Sequence, residues 1–112
     1  MVLLAVLLAG CERTSPLVGV WKGTDREGKE VTIEFRPDGT FQAETGGDTV
    51  QGNFQADFSL TPVELDLRVK DTKPLLTIVK LEGDKLTIQR TGPGLSRPTG
   101  FSADSTVYSR QE

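Results

Sequence analysis

The stretch 17–23, LVGVWKG, is short and apolar, and it carries the only tryptophan of the 112-residue chain. Beyond it, apolar and polar residues alternate as far as Arg110, and Gly, Pro, Asn or Asp interrupt the alternation at short intervals. This alternation is typical of strands with one buried face, and no stretch has the three- and four-residue spacing of an amphipathic helix. We therefore predict one all-β domain over residues 17–110.

Eight strands are predicted, joined mostly by short polar turns. Residues 37–39, Pro-Asp-Gly, are a strong hairpin signal, because Pro presets the first corner and Gly allows a positive φ at the end. Gly52, in mid-strand, predicts a close approach by a large neighbour, for which Trp21 is the candidate. The register of strand 75–81 stays open, because it contains two apolar pairs in succession. The predicted strands span residues 17–23, 29–36, 40–45, 49–56, 63–70, 75–81, 85–90 and 105–110.

The order of the strands favours a single sheet that closes on itself. Two stacked sheets would need crossover connections, and only residues 57–62 and 91–104 are long enough to provide them. Pairing the first strand with the last would remove both sheet edges. We predict a small antiparallel up-and-down eight-stranded barrel, whose interior is just wide enough for side chains or one small ligand.

The first residues carry the signals of an exported, lipid-anchored protein. Residues 1–10 are too short to cross a bilayer, which takes about 20 residues, but they suit the hydrophobic region of a signal peptide. Residues 8–11, LAGC, resemble the lipobox of bacterial lipoproteins, in which the cysteine thiol receives a diacylglycerol and cleavage occurs just before it. The resemblance implies a signal peptide over 1–10, a lipidated Cys11, and a tether that ends at residue 16.

The tether indicates where the domain lies. Five residues after Cys11 reach under ~17 Å, so the domain is expected to lie close to the membrane surface. In lipoproteins of two-membrane bacteria, Asp directly after the cysteine favours the inner membrane. The corresponding residue here is Glu12, which favours the outer membrane. We expect a lipid-anchored protein of the bacterial cell envelope that faces the periplasm.

Composition argues against several classes of function. The net charge of −3 is unlike that of a nucleic-acid-binding protein, which needs a basic face. The chain has no histidine, and therefore lacks the usual general base and the commonest transition-metal ligand. Glu64 and Asp66 alternate with apolar residues and are interpreted as a solvated strand face. We expect a monomer that is not an enzyme and holds no metal or cofactor.

A family resemblance covers most of the predicted domain. The Gly19-x-Trp21 pattern in the first strand resembles the signature of lipocalins. With four further segments in the same order, it is similar to the short lipocalin-like domains of bacterial lipoproteins. The resemblance implies that Trp21 plugs the closed end of the barrel, with Arg110 of the last strand stacked over it through a cation–π contact. The further segments are 35–41 (FRPDGTF), 52–54 (GNF), 81–86 (LEGDKL) and 97–101 (RPTGF).

The two longest connections contain the other candidate residues. Loops on a rigid scaffold commonly carry function, which directs attention to Phe58 in the loop 57–62 and Arg97 in the loop 91–100. From its loop, Arg97 either binds a carboxylate or phosphate, or pairs with a local acidic residue or caps loop carbonyls. Phe101 is expected to anchor the return of its loop.

Two functions fit these features. In the first, the anchored barrel binds a small apolar or amphipathic ligand, which requires unfilled space inside it. In the second, the barrel is filled, and the protein binds another envelope protein through its loops, for example as an enzyme inhibitor. The first is the leading hypothesis, and whether large side chains such as Phe35, Phe41 and Phe54 fill the barrel stays open.

Overall fold

The computed structural model describes residues 15–111, and it confirms the predicted all-β barrel. Eight antiparallel strands pair in chain order and close into a barrel. No helix in this range is long and apolar enough to cross a membrane. The predicted signal peptide and Cys11 lie outside the described residues. The strands are β1 Gly19–Thr24, β2 Glu30–Phe35, β3 Thr40–Thr45, β4 Asp48–Asp57, β5 Val63–Arg68, β6 Leu75–Glu82, β7 Lys85–Arg90 and β8 Thr106–Gln111.

The barrel closes where β1 pairs with β8. Trp21 lies opposite Arg110, and Gly23 lies opposite Tyr108. A Cβ atom at Gly23 would come within 2.6 Å of the Val107 carbonyl oxygen and 2.9 Å of Tyr108 Cδ2. Glycine is therefore what allows the last strand to approach the first so closely at this point.

The up-and-down course of the chain defines two ends of the barrel. The entry end is where Ser15 leads into β1, and the distal end is opposite. The entry end carries the connections 36–39, 58–62 and 83–84. The distal end carries the connections 25–29, 46–47, 69–74 and 91–105.

Large side chains pack inside the barrel, with partly buried apolar residues such as Ala43, Phe54 and Leu67 against the fully buried ones. Trp21, Leu65 and Leu86 are completely buried. The rings of Phe35 and Phe54 meet edge to face with centroids 4.9 Å apart. A cavity that could hold a ligand would leave its lining side chains accessible to a water-sized sphere, so no such space adjoins these fully buried residues. The buried core comprises Leu17, Trp21, Val31, Ile33, Phe35, Phe41, Leu65, Val79, Leu86, Ile88 and Tyr108.

The structure settles the register of β6. Thr77 faces inward opposite Leu65, and its hydroxyl donates a hydrogen bond of 2.8 Å to the Leu65 carbonyl oxygen. Val79 points the same way and belongs to the core. Because side chains alternate along a strand, Leu76 and Ile78 point outward.

Gly52 corrects one expectation. Its neighbours are Phe41, whose Cε1 would lie 3.0 Å from an added Cβ, and the backbone carbonyl of Arg68. Trp21, which was the predicted neighbour, is not among the nearest atoms. The reason is topological, because β4 pairs with β3 and β5, whereas Trp21 lies on β1.

Candidate functional site

Trp21 and Arg110 meet at the entry end. The Trp21 indole N–H donates a hydrogen bond of 2.9 Å to the Leu17 carbonyl oxygen. The guanidinium carbon of Arg110 lies 4.3 Å from the Trp21 ring centroid, so the stacking expected from the lipocalin resemblance is present. Trp21 is completely buried, and the pair therefore caps the core and leaves the indole no surface to offer a ligand.

Arg110 also ties the segment before β1 to the last strand. Its Nη1 donates to the Val18 carbonyl oxygen at 3.0 Å, and its Nη2 donates to the Pro16 carbonyl oxygen at 3.1 Å. Its Nε lies 3.5 Å from a carboxylate oxygen of Asp84, whose side chain is 80% exposed. One guanidinium thus binds both the segment before β1 and the β6–β7 turn at this end.

Arg97 lies against the outer wall of the barrel. Its Nη1 donates a hydrogen bond of 2.9 Å to the Thr77 carbonyl oxygen. Its Nη2 lies 2.8 Å from Asp66 Oδ1, and its Nε lies 3.4 Å from Glu64. The Asp66 contact is an ion pair without hydrogen-bond alignment, since that oxygen accepts no hydrogen bond. Arg97 thus pairs with acidic residues, as one alternative had it, but these lie on β5 and are not local in the chain, and the carbonyl that it binds belongs to β6 and not to its own loop.

These contacts correct the interpretation of Glu64 and Asp66. Both side chains point outward, as the alternation predicts, but only 20% of the Asp66 side chain is exposed. The β7–β8 loop, residues 91–105, packs against both of them, so they are not simply solvated. A salt bridge to a residue more than thirty positions away leaves no signal in the local pattern.

The return of the β7–β8 loop is anchored by Ser102. Its backbone N–H donates to Gln89 Oε1 at 2.8 Å, and its hydroxyl lies 3.2 Å from the same oxygen. Phe101, the expected anchor, is 38% exposed, with the Lys80 ammonium 5.5 Å from its ring centroid. Polar bonds, and not aromatic packing, hold this part of the loop.

Ile78 shows how closely the loop covers the wall. Its side chain points outward from β6, yet it is only 1% exposed. It lies between Glu64 and Gln89 in the sheet, and both of these residues contact the loop. The β7–β8 loop therefore buries Ile78 against the outer wall of the barrel.

Phe58 is separate from Arg97 and Phe101. It lies in the β4–β5 loop, residues 58–62, at the entry end and is 37% exposed, next to Leu60 at 40%. Asp57 fixes the start of this loop by accepting hydrogen bonds from the Ser59 hydroxyl, at 2.6 Å, and backbone N–H, at 2.9 Å. These bonds hold the pKa of Asp57 below its ordinary value of 3.8. The candidate loop residues thus form no single site.

Within residues 15–111, the surface has a groove on the outer wall and another at the distal end. One of about 340 Å³ lies on the outside of β4 and β5, beside Gln55, Asp57, Glu64 and Asp66. The other, of about 680 Å³, lies at the distal end between the β1–β2 turn and the β7–β8 loop. No member of the buried core lines either groove.

Charged residues of both signs line the distal groove. Asp25, Arg26 and Glu27 come from the β1–β2 turn, and Arg90 and Asp104 come from the opposite wall. Arg26 and Asp104 lie 3.6 Å apart as an exposed ion pair. The groove therefore suits a polar partner better than an apolar ligand.

Tyr108 lies in the barrel wall near these charges. Its ring covers Gly23, and it is 7% exposed. Burial raises the pKa of its hydroxyl above the ordinary value of 10.0; Arg90 opposes this shift and Asp25 adds to it. The hydroxyl therefore stays protonated at neutral pH and serves as a neutral group.

Comparisons with protein-family models, curated proteins and solved structures found no match to this chain. Within residues 15–111, no group of three or more His, Cys, Asp or Glu side chains is placed to hold a metal ion. The class that the fold defines is a closed, up-and-down, eight-stranded antiparallel β-barrel.

Proposed function

We propose that the protein is a lipid-anchored lipoprotein of the bacterial cell envelope that acts as a binding module through its outer surface and loops. The packed interior is the observation that carries this proposal. Trp21, Phe35, Leu65, Val79 and Leu86 from five strands are each at most 1% exposed. A barrel that binds a small ligand inside would need space where these side chains lie.

The distal groove is the surface that we assign to the partner. It lies at the end opposite the chain entry, so a tether at Cys11 directs it away from the membrane. Its loops are carried on a closed barrel, which is the usual arrangement of a binding surface on a rigid scaffold. Its mixed charges favour a protein partner with complementary polar groups.

Mass measurement separates the two functions. Residues 12–112, exported without the anchor and isolated gently from the periplasm, are examined by native mass spectrometry. We expect the bare mass of the chain. A discrete added mass that disappears on denaturation would instead favour the small apolar or amphipathic ligand in the barrel, and would overturn the filled-barrel proposal.

A photoreactive residue locates the binding surface. We expect Glu27, exposed beside the distal groove, to give a defined crosslinked protein when replaced by a photoreactive amino acid in living cells. Thr49, exposed on β4, is the control position. Equal crosslinking from both positions would contradict a partner at the distal groove.

The lipid anchor has its own test. Cys11 is the only cysteine of the chain, so Cys11→Ala removes the sole thiol that an acyl transferase can modify. We expect incorporation of radioactive palmitate in the unsubstituted protein and none in the variant. Labelling that persists in Cys11→Ala would reject the anchor. The outer membrane, favoured by Glu12, is checked by fractionating the two membranes of the host.

A further inference from the structure

Two large apolar side chains are exposed at the end where the chain enters the barrel. Phe58 is 37% exposed and Leu60 is 40% exposed, and both lie in the β4–β5 loop. Strands that alternate in direction bring this loop to the same end as Ser15. We call Phe58 and Leu60 the apolar tip.

The base of the apolar tip is held by hydrogen bonds. Asp57 accepts two from Ser59, the residue between Phe58 and Leu60. The loop therefore presents its apolar side chains without having to order first. A preformed loop loses little conformational entropy when its surface is buried.

The tether length identifies what lies opposite this end. Three residues lie between Cys11 and Ser15, so the four-step span keeps Ser15 within about 14 Å of a lipidated Cys11 at the bilayer surface. The other exposed apolar loop residues, Leu95 and Phe101, lie on the β7–β8 loop, which leaves the distal end and packs along the outer wall, where the Lys80 ammonium lies 5.5 Å from the Phe101 ring centroid. Among the exposed apolar loop residues of the range 15–111, only those of the apolar tip belong to a connection at the end that the tether holds near lipid.

We propose that Phe58 and Leu60 insert into the interfacial region of the bilayer and fix the orientation of the barrel on the membrane. The proposal rests on the lipid anchor proposed above. Aromatic and aliphatic side chains are favoured at this depth.

The charges of the entry end favour zwitterionic lipid. The basic residues Arg36 and Lys85 share this end with the acidic residues Asp38, Glu82 and Asp84. Such a mixture provides no basic patch for anionic headgroups. Contact through the apolar tip should therefore persist in phosphatidylcholine vesicles and change little with salt.

The experiment compares two labelled threonines. Thr61→Cys lies beside the apolar tip, Thr99→Cys lies in the β7–β8 loop, and both wild-type residues are exposed. Full-length lipidated protein, in which Cys11 is blocked by acylation, is labelled at the new thiol with an environment-sensitive fluorophore. It is reconstituted into phosphatidylcholine vesicles with or without nitroxide-bearing lipid.

We expect lipid-borne nitroxide to quench the label at position 61 at least about threefold more than the label at position 99. Adding Phe58→Ser and Leu60→Ser should bring the quenching at position 61 down to that at position 99. The fluorescence of Trp21 and the melting temperature check that these exposed substitutions leave the barrel folded.

Flotation separates failure of the tip from failure of the anchor. Protein that floats with the vesicles but shows equal quenching at both positions would overturn the apolar tip and leave the anchor intact. Protein that does not float would overturn both. A label at position 61 that is shielded from water-soluble and lipid-borne quenchers alike would indicate a covering protein, which also contradicts membrane insertion.

Discussion

Arg110 combines contacts that are usually spread over several residues. Its planar face lies over the Trp21 ring, while two of its N–H groups bind the backbone before β1. A guanidinium suits this position because it stacks on an aromatic face and donates in two directions at once. An ammonium in its place could still form a cation–π contact and donate hydrogen bonds, but it has no planar face to stack and no fixed fork of donors.

Substituting Arg110 tests how much this cap contributes. We expect Arg110→Ala to lower the free energy of unfolding by about 1–3 kcal/mol, because it removes two charged hydrogen bonds and a cation–π contact. Arg110→Lys should recover less than half of the loss. Urea unfolding of residues 12–112, followed by Trp21 fluorescence, measures both. Arg26→Ala is the control, since Arg26 forms only an exposed pair with Asp104. Equal losses in Arg110→Ala and Arg26→Ala would contradict the cap.

Tyr108 offers a pH test that reports one residue. It is the only tyrosine, so tyrosinate absorbance near 295 nm follows its hydroxyl alone. Burial raises the pKa of the hydroxyl, and we expect its midpoint in the folded protein above that in denaturant. Below pH 10 both states are protonated and stability is unaffected. As pH rises through the unfolded pKa toward the folded one, the unfolded state loses its proton first and stability falls.

The control for this titration is Tyr108→Phe, which should lose less stability than the unsubstituted protein between pH 9 and 11. Trp21 fluorescence shows that the barrel is still folded at each point. Coincident midpoints for tyrosinate formation in the folded and unfolded protein would contradict the burial effect.

The β7–β8 loop is an element that the sequence describes only in part. Its Gly and Pro content predicts a loop, and Arg97 was a candidate residue. The loop packs against Glu64, Asp66 and Gln89, which belong to β5 and β7. The alternation of apolar and polar residues in these strands is the same whether solvent or a loop covers their outer face. Long-range ion pairs of this kind have no period along the chain.

The strands themselves were predictable, because they depend on local alternation, whereas the contacts between the β7–β8 loop and the outer wall do not. Alternation records which face of β2 or β5 is buried, and turn residues mark where each strand ends. The pattern failed at β6, where an apolar residue also points outward. Ile78 is buried from outside by the β7–β8 loop, so β6 has two buried faces and loses its alternation.

Arg97 and Arg68 form a matched pair for testing the loop. Both contact Asp66, but Arg97 is 22% exposed and 2.8 Å away, whereas Arg68 is 54% exposed and 3.6 Å away. We expect Arg97→Ala to cost about 1–3 kcal/mol, because it leaves Asp66 and the Thr77 carbonyl without this partner. Arg68→Ala should cost less than about 0.5 kcal/mol.

Hydrogen exchange shows whether the loss in Arg97→Ala comes from the loop. We expect faster exchange of the Ser102 amide, which is bonded to Gln89, and little change at the β2 amides. Uniformly faster exchange across the barrel would show that Arg97 stabilises the whole fold and not the packing of the loop against the outer wall.

At the scale of the whole molecule, the closure of the barrel and the packing of its interior depend on each other. A barrel of eight strands is narrow enough for its own side chains to fill, and Trp21, Phe35 and Phe54 occupy its entry half. With the interior packed, the proposed binding would have to use the ends and the outer wall. The two ends differ, since the entry end carries the apolar tip and the distal end carries charged loops.

The seam between β1 and β8 joins the most distant parts of the chain, and Gly23 tests it. Its backbone adopts an ordinary negative φ, so a substitution acts only through contact. We expect Gly23→Ala to destabilise the barrel by at least about 1 kcal/mol, because the new methyl group meets the Val107 carbonyl and the Tyr108 ring.

Gly100→Ala is the matched control for the seam, because Gly100 also lacks a positive φ and an added Cβ meets no atom within 4 Å. It should leave stability unchanged or raise it by about 0.4–1 kcal/mol through the unfolded state. Unfolding followed by both Trp21 fluorescence and far-ultraviolet circular dichroism compares the two variants. Opening of the seam in Gly23→Ala would expose Trp21 before the sheet is lost and separate the two transitions. Equal stability of the two variants would show that β8 can move away from β1 at little cost, and that closure does not depend on this contact.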